Sequence, residues 1–444
     1  MTKRAKAGNY GWRGWMLIIY AFSSMIAFMV FTSYPQNILG EYFGAGNANL
    51  LTSIYSTCNL VNIAIGFIVK YLVGYVKNIK VFSSIWGAVT LAFAVVMLLI
   101  KPDTSTGHTI IIICYVAVCI LSPLYANYLT GVVVGQWFPT KKGAIMGIAT
   151  IAFPVGNMFV GYCRNWFMAS NNAFTAFLPF LIVVAIGIIL SCTTFADFPE
   201  QNGCFRDNDP SMTKEKAEEM MRHQQENKKH ALWNPLRCAS SLGFWFVSLA
   251  LLPAGISAAM MAQSFVIIST SGLMDQFATV MLIVGIVAAV GSWLVGVVDN
   301  KFGTRKAIIL EMIIMLLSSV LGFIGGPICT WIAMILLGIY MGAGSNFPVS
   351  AIYQWWRPED FSKVSASSGV VTGIIGALLP ILIRTQVTAT GSPFFAYLIQ
   401  GCGALVGLIC MLIFRGTWIK KRDDKYRQAA GLALDDYLTD RATR

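Results

Sequence analysis

Along most of the chain, polar residues do not recur at the period that would give a soluble helix one wet face. Long runs appear instead in which nearly every position is apolar or small. A helix needs about 20 such residues in succession to cross a bilayer. Twelve runs reach roughly that length: 14–38, 49–72, 80–100, 109–138, 143–165, 173–196, 239–269, 276–298, 307–325, 329–354, 364–386 and 394–415. The pattern predicts an all-α membrane protein with twelve transmembrane helices. One long polar stretch, 196–235, separates the sixth run from the seventh. It divides the chain into an N-terminal six-helix bundle (1–196), a cytoplasmic linker (197–235), a C-terminal six-helix bundle (236–415) and a cytoplasmic tail (416–444). In the linker, Met212, Ala217, Met220 and Met221 fall loosely on one side of a surface helix. A solvated connector is the simpler reading.

The two bundles repeat one another. QWFPTKKGAIMGI (Gln136 to Ile148) and QWWRPEDFSKVSASSG (Gln354 to Gly369) both place Gln-Trp-aromatic and a proline at the end of an apolar run. Each then crosses a short charged hinge into small residues. After a two-residue insertion Gly156 aligns with Gly376 and Arg164 with Arg384. The joint between runs four and five thus recurs between runs ten and eleven. Parallel repeats related by an axis along the membrane normal are a transporter architecture, with the substrate site near the midplane between the halves.

Composition agrees with the run pattern. Only 12% of residues are charged, against roughly 25% in soluble proteins. The net charge of +12 could suggest nucleic acid, but its distribution points elsewhere. With both termini cytoplasmic, Lys101, Arg164 and Arg384 are the outer basic residues, leaving 29 of 32 inside (32 − 3). That asymmetry orients a multi-pass protein of the cytoplasmic membrane. The first run is too long for the apolar core of a signal peptide and is read as the first span. The ten cysteines form no C-x-x-C and the three histidines lie in polar connections, so no metal site, cofactor or histidine-based triad is expected. No phosphate-cradling G-x-x-x-x-G-K-[ST] is present, so the reading is not an enzyme and not driven directly by ATP.

Between runs eight and nine lies GVVDNKFGTRK, Gly296 to Lys306. It resembles the loop signature of the major facilitator superfamily, with Asp299 one residue before the acidic position and Asn300 in it. The first-half loop from Gly66 carries no acid. The resemblance covers essentially the whole chain and implies the twelve-helix major facilitator fold. QWFPTKKGAIMGIA resembles the corresponding joint of organic-anion branches, those like the oxalate:formate antiporter and the monocarboxylate transporters. The resemblance implies a cytoplasmic gate at Asp299, Lys301, Arg305, Lys306, Lys141 and Lys142. Gly143 and Gly147, and Ser365, Gly369 and Gly373, are spaced to let their spans pack closely on a neighbour.

In the superfamily, spans one, four, seven and ten line the cavity, which directs attention to their polar residues. Span one offers Ser23, Ser24, Thr32, Tyr34, Gln36 and Asn37. Span four offers Tyr125, Asn127 and Tyr128, span seven Ser257, Gln263 and Ser264, and span ten Tyr340, Ser345 and Asn346. Substrate contact and helix–helix hydrogen bonding are both open to these groups. Charge within a membrane is costly and usually functional. No Asp or Glu is expected near the centre of a span; Glu311 is placed about one turn into span nine, at the interface. Arg164 and Arg384 are the sharper candidates, because a planar guanidinium matches a carboxylate. Interfacial snorkelling is their alternative role.

The expectation is a secondary active or exchange transporter for a small organic anion, a mono- or dicarboxylate, working by alternating access. Its partners are that substrate, the bilayer and a coupling ion or counter-substrate, with no nucleic acid, and it acts as a monomer. The alternative is a transporter or efflux pump for a neutral or amphipathic molecule, suggested by aromatic and Met-rich stretches in spans one and seven. A membrane sensor or scaffold, with the 197–235 linker and the polar tail as its output, is a third reading.

Overall fold

Water is absent from the bilayer interior, so a chain that crosses it must satisfy each backbone N–H and C=O internally. For a continuous apolar run the helix does so. In a computed structural model, which describes residues 10–40, 49–72, 78–216, 218–219, 222, 231–344, 347–432, 434 and 438, all twelve apolar runs fold as helices. We number them α1 (Gly11–Ile38), α2 (Leu50–Leu72), α3 (Ile79–Leu99), α4 (Ser105–Trp137), α5 (Lys142–Ser170) and α6 (Ala173–Thr193) in the first half. The second half holds α7 (Leu242–Ala262), α8 (Phe277–Phe302), α9 (Thr304–Ile324), α10 (Gly326–Gly344, then Phe347–Trp355), α11 (Phe361–Thr390) and α12 (Phe394–Ile413). Among the described residues ten helices are long and apolar enough to span a membrane, and the bent α10 makes eleven. The twelfth expected span, α2, contributes a shorter apolar stretch, Leu50–Gly66.

The chain separates into two compact units, Met1–Arg222 and His223–Arg444. In the first, α1 packs against α4, α5 and α6, α2 against α4, and α3 against α4 and α6. In the second, α7 packs against α11 and α12, α8 against α10, and α9 against α10 and α12. Eight neighbour pairs of the first unit, α1–α4, α1–α5, α1–α6, α2–α4, α3–α4, α3–α6, α4–α5 and α5–α6, recur six helices later. The internal repeat is therefore a repeat of packing, not only of one joint.

Two segments depart from the sequence expectation. The start of the linker folds onto the first unit: Trp137 Nε1 donates to Ala196 O at 2.7 Å, and Arg13 Nη1 to Asn202 O at 2.8 Å. The tail begins with a helix, α13 (Gly416–Ala429), that packs on the second unit. Of the proposed linker stripe, Ala217, Met220 and Met221 lie outside the described residues.

Close packing uses glycines other than the expected ones. Gly338 and Gly342 stand one turn apart on α10 and face α8. A Cβ on Gly338 would sit 2.9 Å from Val284 O, and one on Gly342 would strike Ala288 O. Within its own unit a Cβ at Gly143, Gly147 or Gly369 would meet no described atom within 4 Å. Gly143, Gly147 and Gly369 thus do not provide close approach inside their own units. The test is direct. Gly342→Val should cost about 1–3 kcal/mol through overpacking, read as a lower apparent Tm and less monodisperse protein in detergent. Gly338→Ala should cost less, because the intruding atom is smaller.

Candidate functional site

Most of the candidate hydroxyls are turned to internal partners. Tyr34, almost wholly buried on α1, donates to the carbonyl of Gly156 on α5, and its ring meets Phe180 of α6 edge-on at 5.5 Å. Ser23, Ser24, Thr32 and Ser257 donate to carbonyls three or four residues back in their own helices. Asn37 Nδ2 does the same to Ser33 O at 3.3 Å. Such bonds satisfy a hydroxyl or amide without a neighbour's help. Gln36 on α1 is fully buried.

Tyr125 lies in a π-helical turn, Leu124–Leu129, that interrupts α4 just after Pro123. In the wider turn the Tyr125 carbonyl accepts twice from Thr130, from its backbone N–H and from Oγ1 at 2.9 Å. The Tyr125 ring packs edge-on to Tyr20 at 5.9 Å and lies over Gly87 of α3, where a Cβ would come within 2.8 Å of its Cζ. Irregular turns of this kind often mark functional helices. The side chains of Asn127 and Tyr128, and residues Ser345 and Asn346, lie outside the described residues. Gln263 is buried at the break where α7 gives way to the short helix Ser264–Ser269. Tyr340 is buried on α10, and a Cβ on Gly344 would meet both its ring and Ala254 of α7.

The paired arginines are not equivalent in their units. Arg164 is half-buried on α5, whereas Arg384 is 6% exposed on α11, on a stripe with buried Ala377, Pro380 and Val387. Enclosure by protein separates Arg384 from a snorkelling arginine, whose head would reach water. Glu311 differs from the interfacial expectation: it has no exposed surface. Its position seven residues after Thr304 puts it about 10 Å along the helix, two turns in.

The proposed gate residues are engaged inside their own units. Thr304 Oγ1 donates to Asp299 Oδ1 at 2.7 Å across the turn at Gly303, whose φ of 89° suits glycine. Arg305 donates from Nε to Met411 O and from Nη2 to Leu412 O, both at 2.9 Å. Those are last-turn carbonyls of α12, where a cation also complements the helix dipole. Lys301 lies 5.4 Å from the Phe302 ring centre, and Lys306 is exposed. In the first unit Lys141 Nζ donates to Asp207 O at 2.7 Å, while the Thr140 and Lys141 amides donate to the Asp207 carboxylate at 3.2 Å. Lys142 is exposed beside Gly135.

The second copy of the joint is clamped by different residues. Trp356 meets Trp233 edge-on at 5.8 Å. Trp233 donates its backbone N–H to Asp360 Oδ1 at 2.9 Å and its indole N–H to Asp423 Oδ1 at 3.1 Å. Arg357 Nε pairs with Asp423 Oδ2 at 2.8 Å, both side chains being buried. Burial, and secondarily the negative charges of Asp423 and Glu359, push the Asp360 carboxyl up to about 6. Sequence reasoning passed over Asp207, Asp360 and Asp423, because an acid in a polar connection carries no sign of enclosure.

Comparison with known proteins adds the lineage. Residues 16–353 match the sequence profile of the Major Facilitator Superfamily. No curated protein sequence matches the chain. Among solved structures, the fold is similar to the xylose transporter XylE from E. coli in a partially occluded inward-open conformation, with a TM-score of 0.62 at 14% identity, covering 90% of this chain and 95% of that one. It is also similar to a bacterial homologue of the human lysosomal transporter Spinster (TM-score 0.57, 13% identity, 96% and 98% covered). A POT family transporter crystallised with 5-aminolevulinic acid gives 0.62 at 12% identity, over 90% and 97%. At these identities the likeness is one of fold.

The second joint yields a stability prediction and a pH prediction. Asp423→Asn leaves Arg357 buried without its anion and should cost about 3–5 kcal/mol, read as a lower apparent Tm of the full-length protein. The Asp360 carboxyl titrates higher in the folded protein than in the unfolded chain, from an ordinary 3.8 to about 6. Its contribution to stability is therefore complete below pH 4 and lost as pH rises through 6. Wild type should lose on the order of 3 kcal/mol relative to Asp360→Asn across that window, measured as diverging apparent Tm values.

Proposed function

Because the chain belongs to the major facilitator superfamily, and so is a secondary transporter working by alternating access, we propose that its substrate is a small organic anion, a mono- or dicarboxylate, moved by gradient coupling or exchange across the cytoplasmic membrane. The observation that carries the reading is the burial of Arg384 within a membrane helix. A guanidinium is costly there and is retained where its charge is used. Its planar donors match a carboxylate in two parallel bonds. Arg164, half-buried at the corresponding place in the first half, acts in this reading as an outer attractor for the same anion. Gln36, Gln263, Tyr125, Asn127, Tyr128, Tyr34, Tyr340 and Asn346 complete the proposed substrate surroundings. Asp299, Lys301, Arg305 and Lys306, with Lys141 and Lys142, act as the cytoplasmic gate, the bonds of Arg305 to α12 and Lys141 to Asp207 holding one gate position. The protein works as a monomer with both termini in the cytoplasm.

A second reading has its own support. An open apolar groove of about 680 Å³ lies between α1, α5 and α6, lined among others by Phe22, Phe180 and the exposed Phe159, Tyr162 and Trp166. Its size and lining suit a neutral or amphipathic molecule.

Ligand-induced stabilisation separates the two, since a ligand that binds the folded state raises its apparent stability. Formate, lactate, oxalate and succinate, with neutral sugars and amphipathic aromatic compounds as the contrasting set, are screened by thermal shift and then by uptake into proteoliposomes. A carboxylate should stabilise wild type, and Arg384→Ala should weaken its binding by about 2–5 kcal/mol, as for other truncated buried charge pairs. Arg164→Ala should have the smaller effect. Stabilisation by neutral or amphipathic compounds alone would sink the anion reading.

A further inference from the structure

Glu311 is a carboxylate enclosed inside a membrane helix. It has no exposed surface, and neither oxygen has a hydrogen-bond partner among the described residues. Its helix, α9, is packed on α8, on both parts of α10 and on α12. The titratable and charged groups of those neighbours are few. Asp299 and Lys301 lie at the cytoplasmic end of α8, the former bonded to Thr304. From α12 come Tyr397, Cys402 and Cys410, and from the second part of α10 Tyr353. On α9 itself Arg305 is bonded to α12 carbonyls and Lys306 is exposed. From the first part of α10 come Cys329 and Tyr340, and among the described residues no cation lies within hydrogen-bond distance of either Glu311 oxygen.

An ionised carboxylate so placed would be uncompensated, at a cost far above that of a paired one. In the enclosed geometry the side chain is therefore the neutral acid. We propose that Glu311 is a proton-binding site that couples transport to protons through the packing of α9 on α10. The step is a simple one. A proton adds to one carboxylate oxygen of Glu311 to form the O–H, and the same O–H bond breaks when the proton leaves to water; nothing is oxidised or reduced.

The fold offers the element that such a site would bias. α10 is bent by 45° between Gly342 and Phe347, just beyond Tyr340, and the piece after the bend packs on α9. Tyr340 also lies near Gly344 and Ala254, the latter on α7. The neutral acid is compatible with closed packing of α9 on α10. The anion requires a conformation that brings water or a donor to its oxygens. A proton that stabilises one packing over the other shifts their populations, and through them the affinity for substrate.

The inference rests on the chain's being a transporter but not on its substrate's being an anion, so the test begins without substrate. Infrared difference spectra of the full-length protein between acid and alkaline pH should show the carbonyl stretch of a protonated carboxylic acid, lost in Glu311→Gln. Glutamine copies the shape of the neutral acid, so this variant is expected to fold. An unchanged spectrum in Glu311→Gln would show that the site binds no titratable proton and would overturn the proposal. Formate, lactate, oxalate, succinate and xylose are then offered singly to proteoliposomes under a pH gradient. For a solute that wild type accumulates, Glu311→Gln should keep exchange of labelled for unlabelled solute and lose gradient-driven accumulation. Equal accumulation by variant and wild type would overturn the coupling role. Accumulation of xylose alone would instead refute the anion reading and leave the Glu311 result standing.

Discussion

Every polar group that enters the membrane with this chain must find its partner inside the protein. Lipid offers neither donors nor acceptors, so the search ends within the same helix or at its neighbour. The hydroxyls of Ser23, Ser24 and Thr32 end at home, on carbonyls of α1. Others reach across: Tyr115 to Thr32 O at 2.6 Å, Asn62 to Cys119 O at 2.8 Å, Gln400 to Ser318 Oγ at 2.8 Å, and Ser319 to Tyr397 O at 2.5 Å. These crossings tie α1 to α4, α2 to α4 and α9 to α12, pairs that the repeat also preserves by packing. The same rule makes an enclosed group without a partner conspicuous, and Glu311 is conspicuous by that standard.

The duplicated joint obeys a different constraint, because it lies where the chain leaves the lipid. Both copies end a helix on Gln-Trp-aromatic and must turn sharply into the next span. A turn of that kind leaves amides and indoles near the interface with their helix partners spent. Each copy meets this need with an acid from a segment following its own sixth helix: Asp207 holds the amides of Thr140 and Lys141, and Asp423 holds Trp233 and Arg357. The residues that do the holding differ in order, spacing and geometry. One joint written twice is thus fastened in two different ways.

This explains which features were legible in the sequence. Helices, their number of runs and the joint repeat are encoded locally, in run length and in neighbouring residues. The fold class followed, since a long apolar run has few alternatives to a helix. Tertiary enclosure is not encoded locally. Gly143 and Gly147 have the spacing of a packing motif, yet it is Gly338 and Gly342 that receive α8 within the unit. Asp423 lies in KKRDDKYR, which reads as solvated tail, and yet its side chain is fully buried. Glu311 reads as interfacial by its distance from the charged loop, but the packing of α10 and α12 on α9 closes over it. Each of these depends on what another part of the chain brings to the spot.

The two units share their packing plan but not their charges. No Asp or Glu occurs within an apolar run of the first half, whose one outer-span charge, Arg164, is half-buried. The second unit encloses both Arg384 and Glu311 in membrane helices. Duplication supplies a scaffold in which both halves can move alike, since equivalent helices meet equivalent neighbours. It supplies no reason for both halves to carry the same chemistry. Each enclosed ionisable group is a cost that one copy suffices to bear. Concentrating both in one unit leaves the other free to keep apolar walls, such as the open groove between α1, α5 and α6. The two units thus share a packing plan while only the second encloses ionisable side chains of both signs within its membrane helices.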